Sequence, residues 1–371
     1  MIKKILMLAI ILLLAVTPGF ASSVSEIYVG ISPEMELISG VLAQTSWIEH
    51  RGPKNGGNEY FRALQALFEP YRDHEAVKIA QKLTDRGFTY DAPLAFMAHL
   101  GPLPELEIVF EYSEYIVKRG GGRDKLEEFR LALRSLAVDA QFLDFYAAWE
   151  PYLSEILMES TAGFEPETAK TWLEQFFGWE AAEFHLILAP AMFPGGGYGV
   201  TLERPDGETI AYQITREYGT GTNKPEFPTG QTLEQLTIHE LGHSFVNPSL
   251  EAYPKEVAKL RPLFNRVKAV MKSQAYPDVA TFLNEQVLRA VEVLAAEDLY
   301  GADAVEENIT YQESRGFYLT RFIVEELKVY KTNRALYPTF KEFVPELLKI
   351  LADYQRENCS FLEKLIGIFP F

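Results

Sequence analysis

The run Thr237-Ile238-His239-Glu240-Leu241-Gly242-His243-Ser244 places two histidines four residues apart, with a glutamate directly after the first. On a helix, residues i and i+4 share a face, so both imidazoles can reach one tetrahedral zinc at about 2.0–2.1 Å. Glu240 lies roughly 100° around the same helix, too far to be a ligand. It is placed instead to act on a water at the metal. Zinc lowers the pKa of that water and polarises a carbonyl, while Glu240 takes the proton and delivers it to a leaving amine. The chemistry expected of this spacing is metal-assisted hydrolysis of a peptide bond. The bland alternative is a solvated helix with two incidental histidines. Against it, Leu233, Leu236, Leu241 and Phe245 give this helix a side to bury.

A catalytic zinc normally has three protein ligands, with water as the fourth. A third histidine six residues beyond His243 is missing: Ser249 stands there, and Val246 replaces the glycine that accompanies it. The candidate third ligand is Glu285, in Phe282-Leu283-Asn284-Glu285-Gln286-Val287. An Asn-Glu pair on a downstream helix is the usual form when that ligand is glutamate. In this respect the chain resembles the gluzincin group of metallopeptidases. That group often carries an aspartate four residues after the ligand, where this sequence has Arg289. Glu292, two turns beyond Glu285 on the same face, is the rival ligand; its other reading is a partner for Arg289. Arg289 either stabilises an oxyanion or pairs with one of these glutamates. Asn247 continues the His239–His243 face, and either orients a ligand or caps the helix before Pro248. An oxyanion donor is sought among Tyr300, Tyr311 and Tyr318, with Tyr318 the favourite and aromatic core the competing reading. His50, His74, His99 and His185 are scattered and read as structural.

These residues need elements to hold them. Glu26 to Ile31 alternate as a short strand, and Pro33 opens a helix. Trp47 to Gly57 reads as a loop. Residues 59–159 are helical in period, interrupted by Gly120-Gly121-Gly122, and dense in aromatics such as Phe142, Phe145, Tyr146, Trp149 and Tyr152. Three strands follow, Phe184–Leu188, Tyr198–Leu202 and Thr209–Ile214, the last two joined by a turn at Pro205-Asp206-Gly207. Pro194-Gly195-Gly196-Gly197 is a loop without the lysine and helix start of a phosphate cradle. The helix bearing His239 should run from about Thr232 to Asn247. Further helices are expected over Lys255–Ser273, Asp278–Tyr300, Gln312–Val329 and Phe340–Leu351. The expected fold is α+β and mostly helical, with a small antiparallel sheet before the histidine helix. A helical region over 22–179 would precede a catalytic region over 180–371.

The first 21 residues read as a secretory signal: Lys3 and Lys4, an apolar stretch from Ile5 to Val16, and Gly19-Phe20-Ala21 before the cut. The alternative is an uncleaved anchor helix, but the stretch is short for a bilayer span, so cleavage after Ala21 is expected, with no stable membrane insertion afterwards. The protein should be secreted or periplasmic. One cysteine, Cys359, excludes an internal disulfide and reads as a small apolar residue. A net charge of −17 disfavours nucleic acid as a partner.

The stretch His239 to Pro248, together with Asn284-Glu285 and Arg289-Ala290, resembles the DUF4932 family of exported bacterial proteins. Gly87-Phe88-Thr89-Tyr90-Asp91-Ala92-Pro93 and the aromatic helices near Phe142 to Tyr152 extend the resemblance over most of the mature chain. It implies an HExxH zinc metallopeptidase of gluzincin-like build, with a zincin-like catalytic region and no substrate assigned. The expected function is therefore a secreted or periplasmic zinc peptidase holding one zinc per chain on His239, His243 and Glu285. Its catalytic base would be Glu240, and its substrate a peptide or protein. The alternatives are an inactive zinc protein that binds peptides or glycans, and a cell-wall amidase. The intact Glu240 argues against the inactive binder.

Overall fold

The computed structural model describes residues 26–53, 56–192, 197–204, 207–218 and 223–366. The leader proposed for residues 1–21, most of the loop at 194–197 and most of the turn at 205–207 lie outside them. The described chain is mostly helical around one four-stranded sheet, as the α+β reading expects.

The strands are β1 (Glu26–Gly30), β2 (Glu183–Ala189), β3 (Gly197–Glu203) and β4 (Thr209–Arg216), in spatial order β1-β2-β4-β3. The sheet is mixed, which corrects the expectation of an antiparallel one. β1 runs parallel to β2, and β2 parallel to β4, with Tyr28 beside His185 and His185 beside Tyr212. Only β3 is antiparallel, forming a hairpin with β4 and taking the outer edge. A two-residue period looks the same in either direction. What makes β1 and β2 parallel is the long helical segment between them, which returns the chain to its starting end.

Both faces of the sheet are covered. On one, Ile187, Val200, Leu202, Ile210 and Ile214 pack with Leu37, Tyr60, Phe96 and Phe129 of the N-terminal helices. On the other, Phe184, Leu186 and Ala211 pack with Phe177, Leu241, Phe245 and Leu288. The sheet therefore draws strands from both sides of residue 180. The helix Pro166–Phe177, from the N-terminal side, also packs into the core of the histidine helix.

The histidine helix spans Gly230–Glu251, longer than expected at both ends. It passes through Pro248, which cannot donate to the Ser244 carbonyl. Burial of Phe245, Val246 and Leu250 on either side holds the helix together across that gap. The partner helix Val279–Tyr300 is capped by Asp278, whose carboxylate accepts from the Ala280 and Thr281 amides at 3.0 Å each.

Other boundaries differ from the sequence reading. A short helix, Ser46–Arg51, occupies the expected loop at Trp47, anchored by buried Ile48. Lys255–Ser273 breaks into Pro254–Lys259, Arg261–Asn265 and Lys268–Ser273. Pro262, in the first turn of the second piece, has no N–H to continue the preceding helix. Gln312–Val329 divides into Val305–Ser314 and Thr320–Thr332 around Gly316, whose φ of +96° no helix accommodates. The last helix, Phe340–Ile366, runs well past Leu351. No described helix is long and apolar enough to cross a membrane.

Candidate metal centre

His239 and Glu240 are buried, and His243 nearly so, where the histidine helix meets the helix Val279–Tyr300. Potential ligand atoms of His239, Glu240 and His243 lie within 4.8 Å of one another. Glu285 faces them from the second helix at 4% exposure. Its Oε2 is 3.8 Å from His239 Nε2, and its Oε1 is 3.4 Å from His243 Nε2. A tetrahedral ion with bonds of about 2.0–2.1 Å separates its ligand atoms by about 3.4 Å. Two imidazoles and one carboxylate thus stand within a few tenths of an ångström of the spacing a divalent metal needs between its ligands.

The far sides of the rings are also engaged. His239 Nδ1 lies 2.8 Å from Glu292 Oε1, and His243 Nδ1 lies 3.2 Å from Asn247 Oδ1. The Asn247 acceptor places the proton of the neutral His243 ring on Nδ1 and leaves its Nε2 lone pair facing Glu285. Asn247 is thus inside the helix and turned to His243, rather than capping it. At His239, burial and Arg289 oppose a charge on the ring, but the Glu292 and Glu285 carboxylates outweigh them and raise its pKa. Glu292 stands behind His239, whereas Glu285 spans both Nε2 atoms. Arg289 links the two glutamates, donating to Glu285 Oε2 at 3.0 Å and to both Glu292 oxygens at 3.0 and 3.2 Å.

This charge pattern sets the protonation states. Burial opposes ionisation of Glu292, but Arg289 and His239 outweigh it and hold the carboxyl down to about 2. Burial likewise opposes ionisation of Glu285, and Arg289, with His239 second, prevails and lowers its pKa. His243 is pushed down to about 4 by burial, which keeps the ring neutral. Glu240 is pushed up to about 7, chiefly by burial and secondly, against the opposing pull of His239, by the Glu285 charge.

β3 closes the site from above. A Cβ on Gly197 would lie 2.6 Å from Glu240 Oε1, and one on Gly199 would lie 2.4 Å from the Glu240 carbonyl oxygen and 3.1 Å from His243 Cβ. Only glycine permits this approach of strand to helix. Sequence reasoning missed both residues, because their role is a close tertiary contact that no local pattern announces.

The tyrosines proposed as oxyanion donors are engaged elsewhere. Tyr318 donates to the Leu263 carbonyl at 3.0 Å and carries Arg266 over its ring. Tyr300 donates to Glu234, and Tyr311 is exposed beside Arg315. The phenols that feel the Glu240 charge are Tyr198 and Tyr218, both raised mainly by burial. Tyr218 closely follows β4, and the end of a strand leading into the histidine helix was the available clue. The remaining histidines have structural roles. His99 bonds the Ala95 carbonyl and the Ser113 amide, and His74 caps a helix. His185 stacks between Tyr28 and Tyr212, and His50 bonds the Ser46 carbonyl.

The fold and the cluster together define a mixed α+β protein whose two helices bring an HExxH pair and a downstream glutamate to one point. A family model, domain of unknown function (DUF4932), matches residues 29–350. The chain belongs to that family. No curated protein and no solved structure matches it.

Proposed function

We propose that the protein is an exported zinc-dependent peptidase, with His239, His243 and Glu285 as metal ligands and Glu240 as the general base. The observation that carries this reading is the convergence of Glu285 on both Nε2 atoms beside buried Glu240. Charge supports it too. Glu240, Glu285 and Glu292, when ionised, outnumber the single Arg289 by two, a deficit one divalent ion balances. When bound, that ion would supply Lewis acidity, polarising a carbonyl and acidifying water.

The chain's own groups account for the rest. Glu240, with a pKa pushed to about 7, can take a proton from the attacking water and return it to the leaving nitrogen. β3, as the outer strand, offers backbone N–H and C=O groups on which an extended peptide can pair. Thr232 and Leu236 precede Glu240 on its helix face and, with Tyr218, Phe227 and Pro228, line a recess of about 370 Å³ able to take a side chain. The base is what a purely binding protein would not need.

The test joins metal analysis of the mature protein to a broad peptide-library digest. About one zinc per chain is expected, with cleavage that Glu240→Gln abolishes while zinc is retained. His239→Ala and His243→Ala should lose both. Absence of zinc uptake on titration, or near wild-type turnover by Glu240→Gln, would overturn the reading.

A further inference from the structure

Arg289 occupies the place where the sequence pattern of glutamate-liganded zinc sites leads one to expect an aspartate, and little of it reaches solvent. Its side chain is 11% exposed. It lies four residues after Glu285 and three before Glu292, the two spacings that put helix side chains in contact. The two arms of its fork go to different carboxylates: Nη2 to Glu285 Oε2, and Nη1 to Glu292. Phe317, fully buried in the turn between the helices Val305–Ser314 and Thr320–Thr332, lies beneath the guanidinium at 5.2 Å.

We propose that Arg289 is a positioning residue for the metal site assigned above, clamping the ligand Glu285 to Glu292, the carboxylate that stands 2.8 Å from His239 Nδ1. The inference rests on that assignment. The clamp is selective by atom. It takes Glu285 Oε2 and leaves Oε1, the atom nearer His243 Nε2, without a guanidinium partner. Through Glu292 it reaches the neighbourhood of His239 Nδ1, 2.8 Å from Glu292 Oε1, so one planar group holds a ligand carboxylate and the carboxylate that pairs with a ligand imidazole. A lysine at this position carries the same charge but presents one ammonium point, which cannot span two carboxylates in a fixed plane. The site is thereby assembled before any metal arrives.

The test compares Arg289→Met and Arg289→Lys with the wild-type full-length mature protein. Zinc affinity is measured by competition with a chromophoric chelator, melting temperature with and without zinc, and the visible spectrum after cobalt substitution. A positioning role predicts a 10–100-fold loss of zinc affinity in both variants, with a changed cobalt spectrum in Arg289→Lys. A merely structural arginine would lower the melting temperatures with and without zinc equally, and leave affinity and spectrum unmoved. Removal of a repelling charge alone would make Arg289→Met bind zinc more tightly. Either of these two results overturns the proposal. Should Arg289→Met not fold, Arg289→Lys and Glu292→Gln carry the same comparison. A wild-type protein that takes up no zinc defeats the metal assignment itself. A wild-type protein that binds zinc as its variants do defeats only the clamp.

Discussion

His239 presents its two ring nitrogens to two different carboxylates, Nε2 towards Glu285 and Nδ1 towards Glu292. This resolves how two glutamates about 10 Å apart along one helix axis both serve one imidazole. Their roles should separate on mutation. Glu285→Ala is expected to weaken zinc binding by orders of magnitude, and Glu292→Ala by about 10–100-fold, as read by chelator competition. Equal losses, or a larger loss at Glu292, would exchange their roles. The sequence made the histidine pair, Glu240 and Glu285 legible because each rests on helical period or on a short local pair. It left Glu292 open between ligand and arginine partner. That choice depends on how far two helices, distant in sequence, are rotated against each other, and no local spacing encodes that rotation. Tyr318 gives its hydroxyl to the Leu263 carbonyl for a related reason: a half-buried phenol takes whichever acceptor its packing offers.

At the scale of elements, β3 and the histidine helix are pressed together, backbone against backbone at Gly199 and with only the Glu240 carboxylate between them at Gly197. Gly199→Ala would drive a methyl into the backbone oxygen of Glu240 and against His243. Neither can yield without moving the helix. It should lower the melting temperature in line with an overpacking cost of about 1–3 kcal/mol and weaken zinc binding with it. Gly197→Ala meets the end of the Glu240 side chain instead, so it should reduce turnover while sparing zinc. Measured zinc content and melting temperature tell the two apart, and a stable, fully loaded Gly199→Ala would contradict the packing described. Strand positions were readable from alternation, but strand direction was not. The breaks in the helical stretches at Pro262 and Gly316 carry visible residue signals, yet hydrophobic period continues across them, and that continuity misled the sequence reading.

Across the whole molecule, the N-terminal helical layer is tied to the sheet by polar contacts as well as by core. Asn58 donates to the Pro190 carbonyl at 2.8 Å, and Glu36 accepts from the Ala191 amide at 3.2 Å, both just after β2. Glu36 is fully buried, and burial pushes its carboxyl from 4.5 up to about 8. Between these values the folded chain keeps a proton that the unfolded chain releases. Stability contributed here therefore falls as pH rises from about 4.5 to about 8, by an amount on the order of a few kcal/mol, and is level above that. Glu36→Gln cannot ionise and retains an acceptor for the Ala191 amide. Its melting temperature should match wild type near pH 4 and exceed it increasingly towards pH 8. A difference that does not change with pH would show that Glu36 is not held protonated.

The pairing of β1 with β2 also fixes an order of events in time. Glu26 meets Glu183 only after about 150 intervening residues have been made. A ribosome adding about 5–20 residues per second needs on the order of ten seconds for that stretch. Throughout, the first strand has no neighbour, while the helices behind it can already form and pack. The long loop itself costs little extra entropy, because closure grows only with the logarithm of length. What β1 loses is haste: made first among these elements, it waits until about half of the 371 residues exist before it can be fastened.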